Sequence, residues 1–176
     1  MATLAITPNQ DSIDIELFIA APPQRVFEAI TDPSQVPKWW GQSGMYRTTK
    51  WQTDLRVGGK WSSNGVAADG SEFKIHGEYL EVDPPRRLVH TWIASWTPAL
   101  KTVVRWELEP RGVHGLHASG PQKSGTGTVV KIHHSGFAGD SKAAQDHGNG
   151  WQRVLGWMQA FLEKGETIES RPALSK

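Results

Sequence analysis

The sequence predicts an α+β fold in which a curved antiparallel sheet and two short helices are joined by one long C-terminal helix. Two observations lead to this prediction. The apolar side chains of residues 151–162, WQRVLGWMQAFL, recur at the spacing of an α-helix with one buried face. Most of the chain before them reads as short strands, and a single sheet of that length twists and curves. One long helix laid across the concave face would bury it, which is the helix-grip architecture.

The elements before the long helix are predicted from alternation and from turn residues. Residues 12–19 alternate apolar with mostly acidic side chains, as in a strand with one buried face. Two short helices follow, the first beginning at Pro22 and Pro23 and the second covering residues 33–40. We expect a bulge or bend at Gly77, where the apolar phase changes. Six further strands are predicted. Five are at residues 45–55, 72–82, 87–94, 102–109 and 126–134, and one lies between a turn at 57–61 and an Asp-Gly turn at 68–70.

The domain boundaries follow from these elements. One domain is predicted over residues 12–165, because a chain of 176 residues with 38% hydrophobic content can bury one substantial core. Residues 1–11 are expected to form a loose N-terminal arm and residues 166–176 a frayed C-terminal tail. Residues 111–125 are rich in Gly and Ser and lack periodicity, so we expect an exposed, mobile loop there.

Composition and charge exclude several classes of partner. A net charge of +1 with dispersed Lys and Arg provides no basic surface for nucleic acid or an anionic membrane. No window is apolar enough for a membrane span, and the N-terminus does not resemble a signal peptide, so we expect a cytoplasmic protein. The absence of cysteine excludes disulfides, thiolate nucleophiles and cysteine-based zinc sites.

The nine tryptophans are the unusual feature of the composition. Several fall on the elements that would surround the space beneath the long helix. Such side chains suit a pocket for an aromatic or lipid-like molecule, but they can equally fill that space as a dry core. Gly148, Gly150 and Gly156 favour a pocket, because a glycine costs a helix about 1 kcal/mol relative to alanine and so indicates close approach or movement. The predicted ligand-binding residues are Trp39, Trp61, His90, Trp92, Trp106, Trp151, Leu155 and Met158.

The seven histidines do not predict a metal site. His133 and His134 are adjacent in a strand, so their side chains point to opposite faces. His114 and His117 share the 111–125 loop but lack a third ligand. We therefore expect no metal and no cofactor.

His90 is the candidate polar anchor of the pocket. It alternates in phase with Leu88 and Trp92, so it faces the same side of the sheet. A neutral imidazole can donate one hydrogen bond and accept another, which suits a ligand hydroxyl or carbonyl. The alternative is a core histidine satisfied by a neighbouring strand or by water. His147, four residues before Trp151, is expected to pack locally or to cap the long helix.

No catalytic constellation is found in the sequence. The spacing supports neither a Ser-His-Asp arrangement nor paired carboxylates on facing elements. The segment VGGKW contains glycines and a lysine, but no predicted helix follows it, so it does not indicate a phosphate-binding loop. Arg105 and Glu107 are expected to form an exposed ion pair along one strand.

Several segments together resemble a known family. They are APPQRVFEAITDPSQVPKWWG, VGGKW, HGEYLEVDPPRRLVHTW, GTVVKIHHSGF and HGNGW, and the resemblance as a whole spans roughly residues 12–164. These segments are similar to those of the Hsp90-ATPase-activator-homologue-like proteins, within the START/Bet v 1-like superfamily. The resemblance implies the helix-grip fold with a hydrophobic cavity between helix and sheet, and it implies a chaperone as an alternative partner.

The functional hypothesis is therefore the binding of a small apolar or aromatic molecule in a cavity between the C-terminal helix and the sheet, by a monomer or a homodimer. Two alternatives remain open. One is a co-chaperone-like interaction domain of the Hsp90-activator type. The other is a cyclase- or hydrolase-like enzyme that uses the same cavity through His90.

Overall fold

The structure is a computed structural model that describes residues 1–112 and 126–174. Its described part contains an antiparallel sheet with the strand order β1-β2-β9-β8-β7-β6-β5-β4-β3, together with three helices. The strands are β1 (Thr3–Ile6), β2 (Ser12–Ile19), β3 (Gly41–Gln42), β4 (Tyr46–Thr53), β5 (Lys60–Ala67), β6 (Glu72–Asp83), β7 (Arg87–Ala94), β8 (Thr102–Gly112) and β9 (Thr126–Ser135). The helices are α1 (Pro23–Thr31), α2 (Val36–Trp39) and α3 (Ser141–Lys164).

Alternation gives the sheet one apolar face, as predicted. In β8 the side chains of Val104, Trp106 and Leu108 are buried, whereas Arg105 and Glu107 lie on the other face and form an ion pair at 3.4 Å. The helix α3 covers the apolar face and packs against β1 and β2. The helix-grip fold expected from the sequence is confirmed.

The helix α3 begins ten residues before the predicted segment. The carboxylate of Asp140 accepts a hydrogen bond from the backbone N–H of Ala143 at 2.9 Å and so caps the helix. At the other end Gly165 adopts the left-handed conformation with φ 70°. Gly148 and Gly150 therefore lie inside the helix.

The N-terminal arm is partly a strand. Strand β1 pairs antiparallel with β2, with Thr3 opposite Glu16 and Ile6 opposite Ile13. A Cβ atom at Gly148 would lie 3.3 Å from the methyl groups of Leu4, so the missing side chain lets α3 approach this strand closely. The expectation of a loose arm is corrected here, because Leu4 and Ile6 supply apolar contacts to the core.

The chain after α3 is packed, which corrects the expectation of a frayed tail. Ile168 is buried, and its backbone N–H donates to the carbonyl of Lys38 at 2.8 Å. The buried guanidinium of Arg171 donates to the carbonyls of Gly41 and Trp39 and lies over the Trp157 ring. Polar and apolar contacts together hold this segment against the end of α2.

Gly77 has a different role from the one predicted. The bulge in β6 lies beyond it, where the register against β7 shifts between Tyr79 and Glu81. At Gly77 itself a Cβ atom would lie 2.0 Å from the Thr91 carbonyl oxygen and 2.6 Å from Nε1 of Trp61. Glycine is needed there because the Trp61 indole crosses the strand to reach that carbonyl.

The loop expected at residues 111–125 is described only at its first two residues. Residues 113–125, with His114 and His117, lie outside the described residues, and β8 extends to Gly112 where a loop was expected.

None of the helices in the described part of the chain is long and apolar enough to cross a membrane.

Candidate functional site

An open cleft of about 530 Å³ lies between the first half of α3 and the strands β4 to β7. Its volume falls within the range typical of small-molecule sites, about 300 to 1,000 Å³. The residues lining it are Trp40, Met45, Tyr46, Thr48, Ser63, Ala67, Ser71, Glu72, Phe73, Ile75, Trp92, Ser95, Trp96, Asp146, His147, Gly150, Trp151, Arg153 and Val154.

The cleft has an apolar floor and a charged rim. Trp40, Trp92 and Trp151 are at most 7% exposed, and they contribute aromatic surface to the floor. Trp96 stands at the mouth with 55% of its surface exposed. The exposed side chains of Glu72, Asp146 and Arg153 also border the cleft. Burial raises the pKa of Tyr46 to about 12, so the phenol that lines the cleft is neutral near pH 7.

Behind this cleft the tryptophans fill the interior. Stacked rings run from Trp39 to Trp40 (centroids 5.2 Å apart), from Trp40 to Trp51 (5.9 Å) and from Trp51 to Trp61 (5.1 Å). The space left among these rings and their neighbours is only about 10 Å³. That is about the size needed for a single water molecule, so the interior of this part of the fold is packed.

The structure separates the sequence-predicted site residues into three groups. Trp92 and Trp151 line the open cleft. Trp61, His90 and Trp106 border the small internal space, as Trp92 and Trp151 also do. The side chains that border neither space are Trp39, Leu155 and Met158, each 0% exposed.

A chain of buried hydrogen bonds connects α3 to the sheet. The indole N–H of Trp151 donates to Nδ1 of His134 at 2.9 Å, which requires the ring proton to be on Nε2. This Nε2–H donates to the Thr102 hydroxyl at 2.7 Å, and the hydroxyl donates to the carbonyl of Trp92 at 3.2 Å. Burial lowers the pKa of His134 well below its ordinary value, in keeping with a neutral ring.

His90 takes part in a second chain of the same kind. Its Nε2 accepts a hydrogen bond from the Trp106 indole at 3.2 Å, and its Nδ1–H donates to the carbonyl of Thr91 at 3.1 Å. Trp61 donates to the same carbonyl at 3.1 Å. Burial lowers the pKa of His90 to about 4. Both ring nitrogens are thus occupied within the protein, and the ring borders the packed interior.

His147 is the histidine that lines the cleft. Its Nδ1 lies 2.8 Å from the carbonyl of Ala143, one turn earlier in α3, so Nδ1 carries the proton. Burial lowers the pKa of His147, which keeps the ring neutral near pH 7. No donor to its Nε2 occurs among the described residues.

Sequence reasoning missed several residues that line the cleft, among them Tyr46, Phe73, Trp96 and His147. The predicted site residues of α3 begin at Trp151, because the amphipathic pattern of the helix begins there. The spacing of four residues between His147 and Trp151 places both on one helix face, and this signal becomes readable once the helix start is known. Among the residues the structure describes, no cluster of three or more His, Asp or Glu side chains could hold a metal ion.

Solved structures with this fold come from several bacteria. A protein from Chromobacterium violaceum is 25% identical, covers 87% of this chain and 98% of its own, and superposes with a TM-score of 0.67. A protein from Mycobacterium smegmatis is 19% identical, with 92% and 97% coverage and a TM-score of 0.71. An "AHSA1-like protein" from Aeromonas hydrophila is 22% identical, with 94% and 99% coverage and a TM-score of 0.63. No curated protein sequence matches this chain.

A family profile gives a direct assignment. The profile described as "Activator of Hsp90 ATPase homolog 1-like protein" matches residues 20–116, which is more than half of the chain. The matched region runs from α1 through β8 and includes the aromatic floor of the cleft formed by Trp40 and Trp92. The resemblance noted in the sequence is confirmed, and the chain belongs to the family of activator of Hsp90 ATPase homolog 1-like proteins.

Proposed function

We propose that the protein binds a small, flat, apolar or aromatic molecule in the cleft between the first half of α3 and strands β4 to β7. The observation that carries this proposal is a space of about 530 Å³ floored by indole rings. Aromatic surfaces of this kind gain free energy by stacking with a flat ligand and by removing its apolar surface from water. The charged rim would leave the polar end of such a ligand in water.

The packed interior supports a rigid floor for this site. Trp92 contacts Trp61 at a centroid distance of 5.7 Å and Trp151 at 5.5 Å, so the cleft side chains are braced from behind. A side chain held in one position loses little conformational freedom when a ligand arrives. We therefore assign the ligand to the open cleft and the packed tryptophans to its support.

A pair of glycine substitutions in α3 tests the site. Gly150 lines the cleft and Gly156 does not, and an added Cβ would meet no atom within 4 Å at either position. Both Gly150→Leu and Gly156→Leu should stabilise α3, by up to about 1 kcal/mol. Only Gly150→Leu places a side chain in the cleft, and it should weaken binding of the apolar probe N-phenylnaphthylamine by about tenfold.

Fluorescence titration of the wild-type protein and both variants measures this effect. Urea unfolding of the same three proteins shows that each is folded. Equal probe affinity in Gly150→Leu and Gly156→Leu would place any binding outside the cleft and contradict the proposal. Absence of binding to the wild-type protein by this probe and by a panel of lipids and aromatic compounds would contradict it as well.

A co-chaperone role is the second candidate, and it rests on the family description alone. It predicts a complex with the Hsp90 homologue of the same cell, in the cytoplasm, at micromolar concentration. Analytical ultracentrifugation of the two purified proteins tests this, and it also distinguishes the monomer from the homodimer. Catalysis through His90 gains no support, because both nitrogens of that ring are already hydrogen-bonded.

A further inference from the structure

Two side chains that line the cleft each carry a polar atom with no hydrogen-bond partner among the described residues. One is the indole N–H of Trp92, a side chain that is only 7% exposed. The other is Nε2 of His147, whose Nδ1–H is already donated to the Ala143 carbonyl. Both side chains line the cleft, and their ring centroids are 6.2 Å apart.

These two atoms have opposite hydrogen-bonding characters. The Trp92 indole nitrogen can only donate. Because the proton of the neutral His147 ring is on Nδ1, its Nε2 carries a lone pair and can only accept. That lone pair points away from the Ala143 carbonyl, since the two ring nitrogens of an imidazole are directed to different sides. A buried donor without a partner costs about 1 to 3 kcal/mol, so a ligand that satisfies it gains affinity.

We propose that the ligand carries a hydroxyl group on its aromatic ring, and that this hydroxyl donates to Nε2 of His147 and accepts from the indole N–H of Trp92. The inference rests on the proposed binding function of the cleft. A hydroxyl group is the smallest group that both donates and accepts at one atom. A carboxylate has no proton for Nε2, and an ammonium group has no lone pair for the indole.

Trp51 provides an internal comparison. Its indole N–H also lacks a partner, but its side chain borders the packed interior and not the cleft. A Trp51→Phe substitution therefore removes an unpaired donor of the same type from a side chain that does not line the cleft. The exposed His76 serves in the same way as a control for His147.

Three ligands of nearly equal apolar surface test the proposal by calorimetric titration. They are naphthol, its methyl ether methoxynaphthalene, which accepts but cannot donate, and naphthalene, which does neither. The wild-type protein should bind naphthol about three- to tenfold more tightly than the other two, the effect of one or two hydrogen bonds. His147→Phe keeps an aromatic ring in contact with Trp92, and it should abolish the preference for naphthol over the ether.

The other variants complete the design. Trp92→Phe should reduce the affinity for naphthol and for its ether together, because both ligands lose the indole donor. Trp51→Phe should leave the preference for naphthol over its ether unchanged, and His76→Phe should leave all three affinities unchanged. His147→Leu replaces His147→Phe as the test variant should the latter not fold, as judged by urea unfolding.

The outcomes separate this inference from the proposed function. Equal wild-type affinity for the three ligands, or a naphthol preference that survives in His147→Phe, would overturn the hydroxyl assignment and leave a purely apolar cleft. If none of the three ligands binds and N-phenylnaphthylamine does not bind either, the proposed function fails and the inference fails with it.

Discussion

The hydroxyl group of Thr102 shows how much of this core depends on single polar atoms. It accepts from Nε2 of His134 and donates to the carbonyl of Trp92, in a pocket where Thr102 is 1% exposed and His134 is 0% exposed. Without it, the His134 N–H and the Trp92 carbonyl would both lose a partner. A buried polar group left unsatisfied is costly, whereas a satisfied one contributes a modest net stabilisation.

Replacing Thr102 with valine should therefore destabilise the protein. Valine has nearly the same shape but no hydroxyl, so the free energy of unfolding should fall by about 1 to 3 kcal/mol. Thr102→Ser is the matched control, because it keeps the hydroxyl group and loses only one methyl group, at a cost of about 1 kcal/mol. Urea unfolding measures both, and a valine variant as stable as the wild-type protein would contradict the buried chain.

The partners of these residues could not be read from the sequence. Alternation along β9 predicts that His133 and His134 point to opposite faces, and this is confirmed by a buried His134 and a His133 that pairs with Asp14. The partners of His134, however, lie 32 and 17 residues away along the chain, at Thr102 and Trp151. Only the strand register and the placement of α3 bring them together.

At the scale of the elements, the N-terminal half of α3 explains why the predicted binding residues include only part of the cleft lining. This half has the sequence SKAAQDHGNG, which lacks large apolar side chains and so gives no amphipathic pattern. It is helical because Asp140 caps it and because Ala143, Ala144 and Gly148 are small enough to be buried. The sparse side chains of this half leave room for the cleft, so the feature that removes the amphipathic pattern also creates the candidate site.

The segment after α3 depends on Arg171 in a comparable way. Its buried guanidinium donates to the carbonyls of Trp39, the last residue of α2, and of Gly41, the first residue of β3. Burial lowers the pKa of Arg171, although such a group remains charged at neutral pH. The contact between the segment and α2 is therefore a set of charge-assisted hydrogen bonds shielded from water.

Arg171→Ala should release this segment. The substitution leaves buried carbonyls without a donor, so the free energy of unfolding should fall by about 1 to 3 kcal/mol. Hydrogen exchange of Ile168, whose N–H donates to Lys38, should become faster. Arg47→Ala removes an exposed ion pair to Glu169 of the same segment and should cost less than about 1 kcal/mol. Equal effects of the two substitutions would show that burial of Arg171 contributes nothing.

At the scale of the whole molecule, the sequence predicts the fold class, but it does not predict whether the tryptophans fill the interior or leave a cavity. Periodicity of two along the strands and of three to four along residues 151–162 is a local property, and it is sufficient to indicate a sheet covered by a helix. Whether tryptophans leave a cavity depends on how rings from distant elements stack. Trp39 and Trp61 are the two ends of a stacked row that continues through Trp40 and Trp51. No local sequence pattern indicates this arrangement.

The same interior holds three histidines whose pKa values are lowered by burial, and this predicts a pH dependence of the whole fold. His134 lies near His147, His90 and His133, which further disfavours its charged form, whereas Asp140 and Asp146 act in the opposite direction on His147. In the unfolded chain all of them titrate near the ordinary value of about 6.5. Below that pH the unfolded state binds more protons than the folded state, so stability falls as the pH falls.

We expect the free energy of unfolding to be nearly constant above about pH 7 and to decrease from about pH 6.5 downward. His90 alone, with a pKa of about 4 in the folded protein, accounts for a loss of about 3 kcal/mol on reaching pH 4. The carboxylates with lowered pKa values, such as Glu78 and Glu107, lose their contribution only at lower pH, so the interval from about pH 6.5 to 5 isolates the histidines.

His90→Phe keeps the ring contacts and removes one titrating group. The contribution of His90 is therefore tested by how steeply the free energy of unfolding depends on pH, and not by its absolute value. Between about pH 6.5 and 5 the dependence of the free energy of unfolding on pH should become shallower by about 1 kcal/mol per pH unit on average, because the full value for one proton, about 1.4 kcal/mol, is approached only well below pH 6.5. Urea unfolding at half-unit pH intervals measures the slopes of the wild-type protein and of His90→Phe. An unaltered slope would mean that His90 binds protons equally in the folded and the unfolded chain, and it would contradict a neutral ring held by two hydrogen bonds.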